Sequence, residues 1–331
     1  MPKVSVIIPA YNAMRYLPET VESLLGQTFK DFEALIINDG STDNIEEWFS
    51  KIQDSRLQLI SQVNQGQAKA RNVGMQCAKG EYIAFLDADD LWVPTKLEKQ
   101  VNMLDFNPEA GVVYTWVSGI DSNGVLRGRI LKNLAEGQVW RALIQHNILE
   151  CGSTPLLRRV CFEQVGVFDE RLPPCEDLDL WLRIAREYDF LVVKEALTYY
   201  RQHASSSGKN WKLAEQNYSI LLEKAFANPP VELVPAELDV LKSKAYATTY
   251  LRFLAWSALQ SGSRDYRTAI EYCQKARQYY PIIVFDRDFI RLNIAILIMR
   301  YLKPKNYDRI TSFLYLLRRK SFDQLASLKK F

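Results

Sequence analysis

Ala84-Phe85-Leu86-Asp87-Ala88-Asp89-Asp90 is the stretch on which the fold turns. Its first residues close the run Tyr82-Ile83-Ala84-Phe85-Leu86, which is apolar without alternation and reads as a buried strand. Three carboxylates follow at once. Like charges gathered at the end of a buried strand are costly unless a cation or hydrogen-bond donors compensate them. Hard oxygen ligands so placed suit Mg²⁺ or Mn²⁺, which can in turn hold a diphosphate. A lone Asp-x-Asp is equally at home in a solvated loop, so the surroundings decide between the two.

Upstream, strand-like and helical runs alternate. Val4 to Ile8 reads as a strand, Arg15 to Leu25 as a helix, and Phe32 to Ile37 as a second strand. Asp43 to Ile52 is expected to be helical with Ser41 or Thr42 as its cap. Leu57 to Ile60, a helix from Gly66 to Ala78, Tyr82 to Leu86 and a helix from Pro94 to Asn107 complete the series. Strands apolar on both faces, joined through helices, imply a mostly parallel sheet covered on both sides. Ligands of such sheets sit at the carboxyl ends of the strands. All four ends are polar here: Pro9-Ala10-Tyr11-Asn12, Asn38-Asp39-Gly40-Ser41, Asn64-Gln65-Gly66 and the Asp cluster.

Downstream, short strands at Gly111 to Val117, Leu156-Leu157 and Phe190 to Val193 mix with helices, notably Asp177 to Glu187. Ser205-Ser206-Ser207-Gly208 has the composition of a linker, and beyond Trp211 the pattern is helical. The expected organisation is an α/β domain over residues 1–208 and an all-α region over 211–331. Within the latter, residues 245–281 read as an antiparallel helix pair that weakly resembles one tetratricopeptide unit, without a second copy.

At 331 residues, 48% hydrophobic and 24% charged, the chain has the composition of an ordinary soluble protein with ample core. A net charge of +3 makes no case for nucleic acid, but it is unevenly placed. From Arg291 to Phe331 ten basic residues face only Asp308 and Asp323, about +8 against about −5 for the rest. Met1-Pro2-Lys3 runs straight into a strand, so no signal peptide is expected, and no apolar run is long enough to span a bilayer. Five scattered cysteines without a Cys-x-x-Cys pair read as reduced thiols of a cytoplasmic protein.

Each motif admits a bland reading beside a functional one. Pro9 and Tyr11 either end a strand or offer a ring to a nucleobase, and Asp39 either shapes a helix-entry turn or accepts a base N–H. Lys69 and Arg71, at the start of a helix, either decorate its surface or bind phosphate. Glu176-Asp177 after Pro173-Pro174 is either first-turn capping or a rigidly held base, with Asp177 the preferred base and Asp179 a support of the fold. His146 reads as a satisfied polar residue. His203, beside Arg201 and the serines, reads as a loop residue able to close on a metal-bound diphosphate.

These motifs, with Ala70-Arg71-Asn72-Val73-Gly74 and Gly166-Val167-Phe168-Asp169-Glu170, resemble in content and order the family 2 glycosyltransferases of the GT-A (Rossmann-like) fold, over about residues 3–208. The resemblance implies an inverting transferase that uses a nucleotide-diphosphate sugar, commonly a UDP-sugar, with Mn²⁺ or Mg²⁺. It implies that Pro9, Tyr11 and Asp39 hold the base, with Arg71 near the base or the phosphates. Asp87 would contact ribose, Asp89 the metal and His203 the metal or diphosphate, and Asp177 would be the catalytic base. A glycan or lipid-linked acceptor, in polysaccharide, glycolipid or cell-envelope glycan synthesis, is the expected setting.

Rival classes are weaker. A sugar nucleotidyltransferase needs a glycine-rich basic loop where this chain has Tyr11-Asn12-Ala13-Met14, and a dehydrogenase needs a Gly-x-Gly-x-x-Gly after the first strand. A non-catalytic nucleotide-sugar-binding scaffold has no need of the acids found at every expected position. The basic tail has two readings, a peripheral contact with anionic lipid at the inner face of a membrane or a helical bundle with a basic exterior.

Overall fold

The computed structural model describes residues 1–202, 211–260 and 265–302. The chain divides into two compact units, Met1–Ser206 with Glu223–Leu233, and Ser207–Leu222 with the chain from Val234 onward.

The first unit begins with the expected alternation: β1 (Val4–Ala10), α1 (Leu17–Leu25), β2 (Phe32–Asp39), α2 (Ile45–Phe49), β3 (Leu57–Gln62), α3 (Gln67–Cys77), β4 (Tyr82–Phe85), β5 (Leu91–Trp92) and α4 (Lys96–Asp105). It continues through β6 (Ala110–Ile120), β7 (Leu126–Leu131), α5 (Trp140–Leu143), β8 (Leu156–Arg158), α6 (Arg159–Val165), α7 (Glu176–Ala185) and β9 (Asp189–Arg201). The strands form one sheet in the order β3-β2-β1-β4-β8-β6-β9-β5, with β7 paired antiparallel to the end of β6. The first four pair in parallel, as expected of strands joined through helices. In the second half β8 runs antiparallel to β4 and β6, and β5 to β9, so the whole sheet is mixed.

Strand order reverses at β1, whose neighbours are β2 and β4. The crevice of such a sheet opens at the carboxyl ends beside that reversal, where Pro9–Asn12 and Asp87–Asp90 emerge. One face of β1, through Val4, Val6 and Ile8, packs with Leu17, Val21 and Leu24 of α1 and Leu97, Val101 and Leu104 of α4. The other face meets α3 so closely that a Cβ on Gly74 would lie 2.4 Å from Ile7 Cγ2. On that side Phe85 meets Phe162 and Phe168 edge to face, and Phe168 meets Trp181 likewise.

Local expectations needed correction. β1 continues through Pro9, paired with Ile37, because β4 ends opposite Ile7 and makes no demand on the missing proline N–H. α2 is shorter than expected and starts after Asn44 with no side-chain cap. Ser41 and Asp43 instead accept from the backbone N–H groups of Asn12 and Met14, tying the β2 loop to the β1 loop. β9 extends far beyond Val193, with a register shift that leaves Lys194 and Glu195 outside the ladder to pair with Glu136 and Lys99. Arg201 therefore lies on a strand and is almost fully buried, not in a loop.

The second unit is helical: α8 (Trp211–Ala227), whose last residues belong to the first unit, α9 (Pro235–Thr248), a π-helical segment Thr249–Ala255, α10 (Trp256–Gln260), α11 (Tyr266–Tyr279), a 3₁₀ turn Pro281–Phe285 and α12 (Arg287–Leu302). Pro281, the end of the expected helix pair, opens that 3₁₀ turn. Among the described residues no helix is long and apolar enough to cross a membrane. All five cysteines are free, four of them buried. His203 and the tail from Lys303 lie outside the described residues.

Candidate active site

The strand ends are joined side chain by side chain. Asp39, at the end of β2, is buried and accepts hydrogen bonds from Gln62 Nε2 at 2.7 Å and from the backbone N–H groups of Gln65 and Gly66 at 2.9 Å each. Gly66, at a φ of 89° that suits glycine, starts α3 there. The next residue, Gln67, donates from Nε2 to Asp87 Oδ1 at 2.9 Å. Two turns of contact thus connect the end of β2 to the end of β4.

Arg71, one helical turn further along α3, makes the longer connection. Its Nη2 donates to Asp87 Oδ1 at 2.7 Å and its Nη1 to Asp177 Oδ1 at 2.5 Å, with Glu176 Oε1 at 3.8 Å. The guanidinium is 2% exposed and lies against the rings of Phe168 and Phe85. Asp87 and Asp177 retain about a fifth of their side-chain exposure, so each carboxylate has one side on Arg71 and one toward solvent. One buried cation therefore brings the Asp cluster and the start of α7 together, although 90 residues separate them in the chain.

Burial works against the Arg71 charge, but Asp177, Asp87 and Glu176 together hold its pKa above the ordinary range. Burial raises the Asp177 carboxyl, opposed by Arg71 and assisted by the charge of Asp87. Glu176 is pushed up to about 7 by burial and by Asp177, again against Arg71. The Glu176 Oε2 and Arg71 Nε atoms are buried without a protein partner. Gly152 packs against this group, and a Cβ there would lie 2.8 Å from Arg71 Nη2 and 3.2 Å from Asp177 Oδ2.

The turn that carries Asp89 is clamped from beneath. Asp90 is fully buried and accepts from the Ser153 hydroxyl at 2.6 Å and the Arg201 N–H at 3.0 Å. Ser153 also accepts from the N–H of Asp87. Arg201 donates from Nε to the Asp89 carbonyl at 2.7 Å and from Nη2 to Glu19 at 2.7 Å. The Thr20 hydroxyl lies 3.0 and 2.9 Å from the carbonyls of Ala88 and Asp90. Burial, then the charges of Asp89 and Asp87, raise the Asp90 carboxyl well above its usual range. Asp90 is thus a structural member of the cluster, while Asp89 beside it is half-buried.

Among the described residues no three His, Cys, Asp or Glu side chains converge into a protein-only metal cage. One or two carboxylates at a strand end is the donor set on which Mg²⁺ and Mn²⁺ bind mainly through a ligand's phosphates, so the residues present fit such an ion.

Of the residues singled out by sequence, Pro9 is buried in β1 and Tyr11 is 55% exposed beyond it. Lys69 pairs with Glu170 at 3.2 Å, and Asn72 bonds the same carboxylate and the carbonyl of Phe168. Asp179 is held by Arg183 and Lys224, and His146 by Glu150. Thr20, Gly152, Ser153 and Arg201 had no local signal, because each acts only on residues distant in sequence.

With that geometry in place, comparison with known proteins is direct. The family model described as Glycosyl transferase family 2 matches residues 5–166. A glycosyltransferase of Haemophilus influenzae is 32% identical over 229 residues, 65% of this chain and 70% of the relative. One of Rickettsia bellii is 32% identical over 221 residues, 63% of this chain, and the chain spans 31% of its length. The chain belongs to glycosyltransferase family 2. Among solved structures, residues 1–349 of S. aureus TarS in complex with UDP-GlcNAc align at a TM-score of 0.64 and 19% identity, covering 92% of this chain and 89% of that one. The mannosyltransferase PcManGT of Pyrobaculum calidifontis, in complex with GDP-Man and Mn²⁺, aligns at 0.58 and 19% identity, covering 96% and 85%. At these identities the likeness shows the fold, which is GT-A.

Proposed function

We propose that this chain moves a sugar from a nucleotide-diphosphate sugar, with UDP as the nucleotide, to a hydroxyl of a glycan or lipid-linked acceptor, inverting the anomeric centre. The observation that carries the reading is the Arg71 bridge, which sets Asp177 beside the Asp87–Asp90 turn. Family membership and the nucleotide sugars bound by the two structural neighbours support the donor class. The Mn²⁺ in the mannosyltransferase complex supports a divalent ion here.

In this reading the donor's base lies by Tyr11 and Asp39, its ribose by Asp87 and its diphosphate toward Asp89. An Mn²⁺ or Mg²⁺ held by Asp89, with His203 as a further contact, would neutralise charge on the diphosphate oxygens. Asp177 accepts the acceptor hydroxyl's proton while that oxygen bonds to the anomeric carbon. The electron pair of the breaking C–O bond leaves with the nucleoside diphosphate. Because that leaving group is already a stabilised anion, no protonating acid is required, and one carboxylate suffices. Burial makes Asp177 a stronger base than a solvated aspartate, and Arg71 keeps it ionised and aimed.

Asp177→Asn tests the assignment, since asparagine keeps an oxygen for Arg71 but cannot take a proton. UDP affinity by titration calorimetry should be unchanged, while UDP release from UDP-sugars with an acceptor panel falls by about 10²–10⁴-fold, the usual scale of general-base help. Wild-type turnover in that variant would remove Asp177 from the role.

A further inference from the structure

Tyr272, Lys275 and Tyr279 recur along α11 at spacings of three and four, so they share a face, with Gln278 beside them. Tyr246 and Tyr250, one turn apart, meet that face. Tyr279 stacks on Tyr246 at 4.9 Å and on Tyr250 at 5.7 Å, each at 14°, and Tyr250 lies 5.6 Å from Tyr272. Tyr250, Lys275, Gln278 and Tyr279 line an open depression of about 470 Å³. At its lip Tyr279 remains 44% exposed despite its stacking partners.

The charges in this depression restrict what it accepts. Lys275 Nζ lies 2.7 Å from Glu215 Oε1 and over the rings of Tyr250 and Tyr272, at 5.2 and 5.4 Å. The Tyr272 hydroxyl donates to Glu215 Oε2 at 2.5 Å. The ammonium is thus already neutralised, and a phosphate would have to break the pair to use it. A wholly apolar ligand would cover Lys275 and the Gln278 amide without giving them partners. A neutral ring with C–H groups on its face and hydroxyls around its edge satisfies both the tyrosine faces and the polar groups. Tyr250 also stands in the seven-residue π-helical segment Thr249–Ala255, a rare backbone form that concentrates at functional sites.

We propose that this depression is a carbohydrate-binding site that seats a neutral pyranose unit on Tyr279 and Tyr250, with Gln278 and Lys275 on its hydroxyls. The proposal goes beyond the transferase reading and does not rest on it.

Titration calorimetry on the full chain, with chitohexaose, cellohexaose and maltohexaose as probes, tests it. At least one hexasaccharide should bind, and Tyr279→Ala should weaken that binding by at least about tenfold, the scale of losing an aromatic anchor. Tyr279→Trp, which keeps a ring face, should preserve binding, and Asp177→Asn should leave it intact, which separates this site from the catalytic one. If Tyr279→Ala loses its helical circular dichroism, the exposed Gln278→Ala serves instead, with the same expected loss. Absence of binding by all three probes, or binding indifferent to both Tyr279 and Gln278, overturns the proposal. So does a depression that takes inorganic phosphate or UDP in a Tyr279-dependent manner and no hexasaccharide.

Discussion

Replacing Arg71 by methionine removes the cation that joins the Asp cluster to the start of α7 while leaving a straight apolar stem against Phe85 and Phe168. Asp87 and Asp177 lose ion pairs of 2.7 and 2.5 Å, and Glu176 loses a charge at 3.8 Å. Removing one partner of a buried pair costs about 3–5 kcal/mol. Because Asp87 and Asp177 keep about a fifth of their side-chain exposure, water compensates part of the loss, and about 3 kcal/mol is expected at pH 8. The penalty must depend on pH. Arg71 lowers both Glu176, already pushed up to about 7, and Asp177, so its removal raises both carboxyls further. Groups with folded pKa values above the unfolded ones bind more protons in the folded state, so their stabilisation is present at low pH. It is lost as pH rises from the unfolded value, about 4.3 for glutamate, through about 7 and beyond. Urea unfolding followed by tryptophan fluorescence should therefore show less than about half the pH 8 penalty at pH 5.5. A penalty equal at the two pH values, or below about 1 kcal/mol at pH 8, would refute the bridge as the element that holds these carboxylates together.

Three further perturbations have definite outcomes. In Gly152→Ala the new methyl group meets Arg71 Nη2 at 2.8 Å and Asp177 Oδ2 at 3.2 Å, so turnover should fall about ten- to a hundredfold. Unchanged UDP release by a folded variant would show that the pair tolerates displacement. Gly74→Ala should cost about 1–3 kcal/mol in thermal unfolding through overpacking on Ile7, and the double variant with Ile7→Ala should lose less than the sum of the two single losses. Chelation with EDTA should abolish transfer and Mn²⁺ or Mg²⁺ restore it; full turnover after chelation would remove the ion from the mechanism.

The parallel half of the sheet was legible because its information is local. Apolar runs such as Tyr82 to Leu86 have no solvent face, and polar residues stand at every strand end. β9 was underestimated because Lys194 and Glu195 interrupt its apolar pattern, and only a bulge explains how a strand passes through them. Arg71 was visible as a basic residue at a helix start, a position that favours anions in general. That its anions are Asp87 and Asp177 is a tertiary fact, as is the burial of Asp90 beneath Asp89 by Ser153 and Arg201. The capping reading of Ser41 failed for a related reason, since its hydroxyl accepts from the Asn12 N–H of the β1 loop instead.

The Arg71 bridge also limits how such a chain can be rearranged in evolution or by design. The segment carrying α1 to α4 and the one carrying β6 to β9 are separable in sequence, and chimeras that exchange the second would be an obvious route to new specificity. Any incoming segment must deliver a carboxylate where Asp177 stands. Without it the recipient keeps a dry guanidinium matched by Asp87 alone and loses the proton acceptor, so the two halves drift best as a matched set.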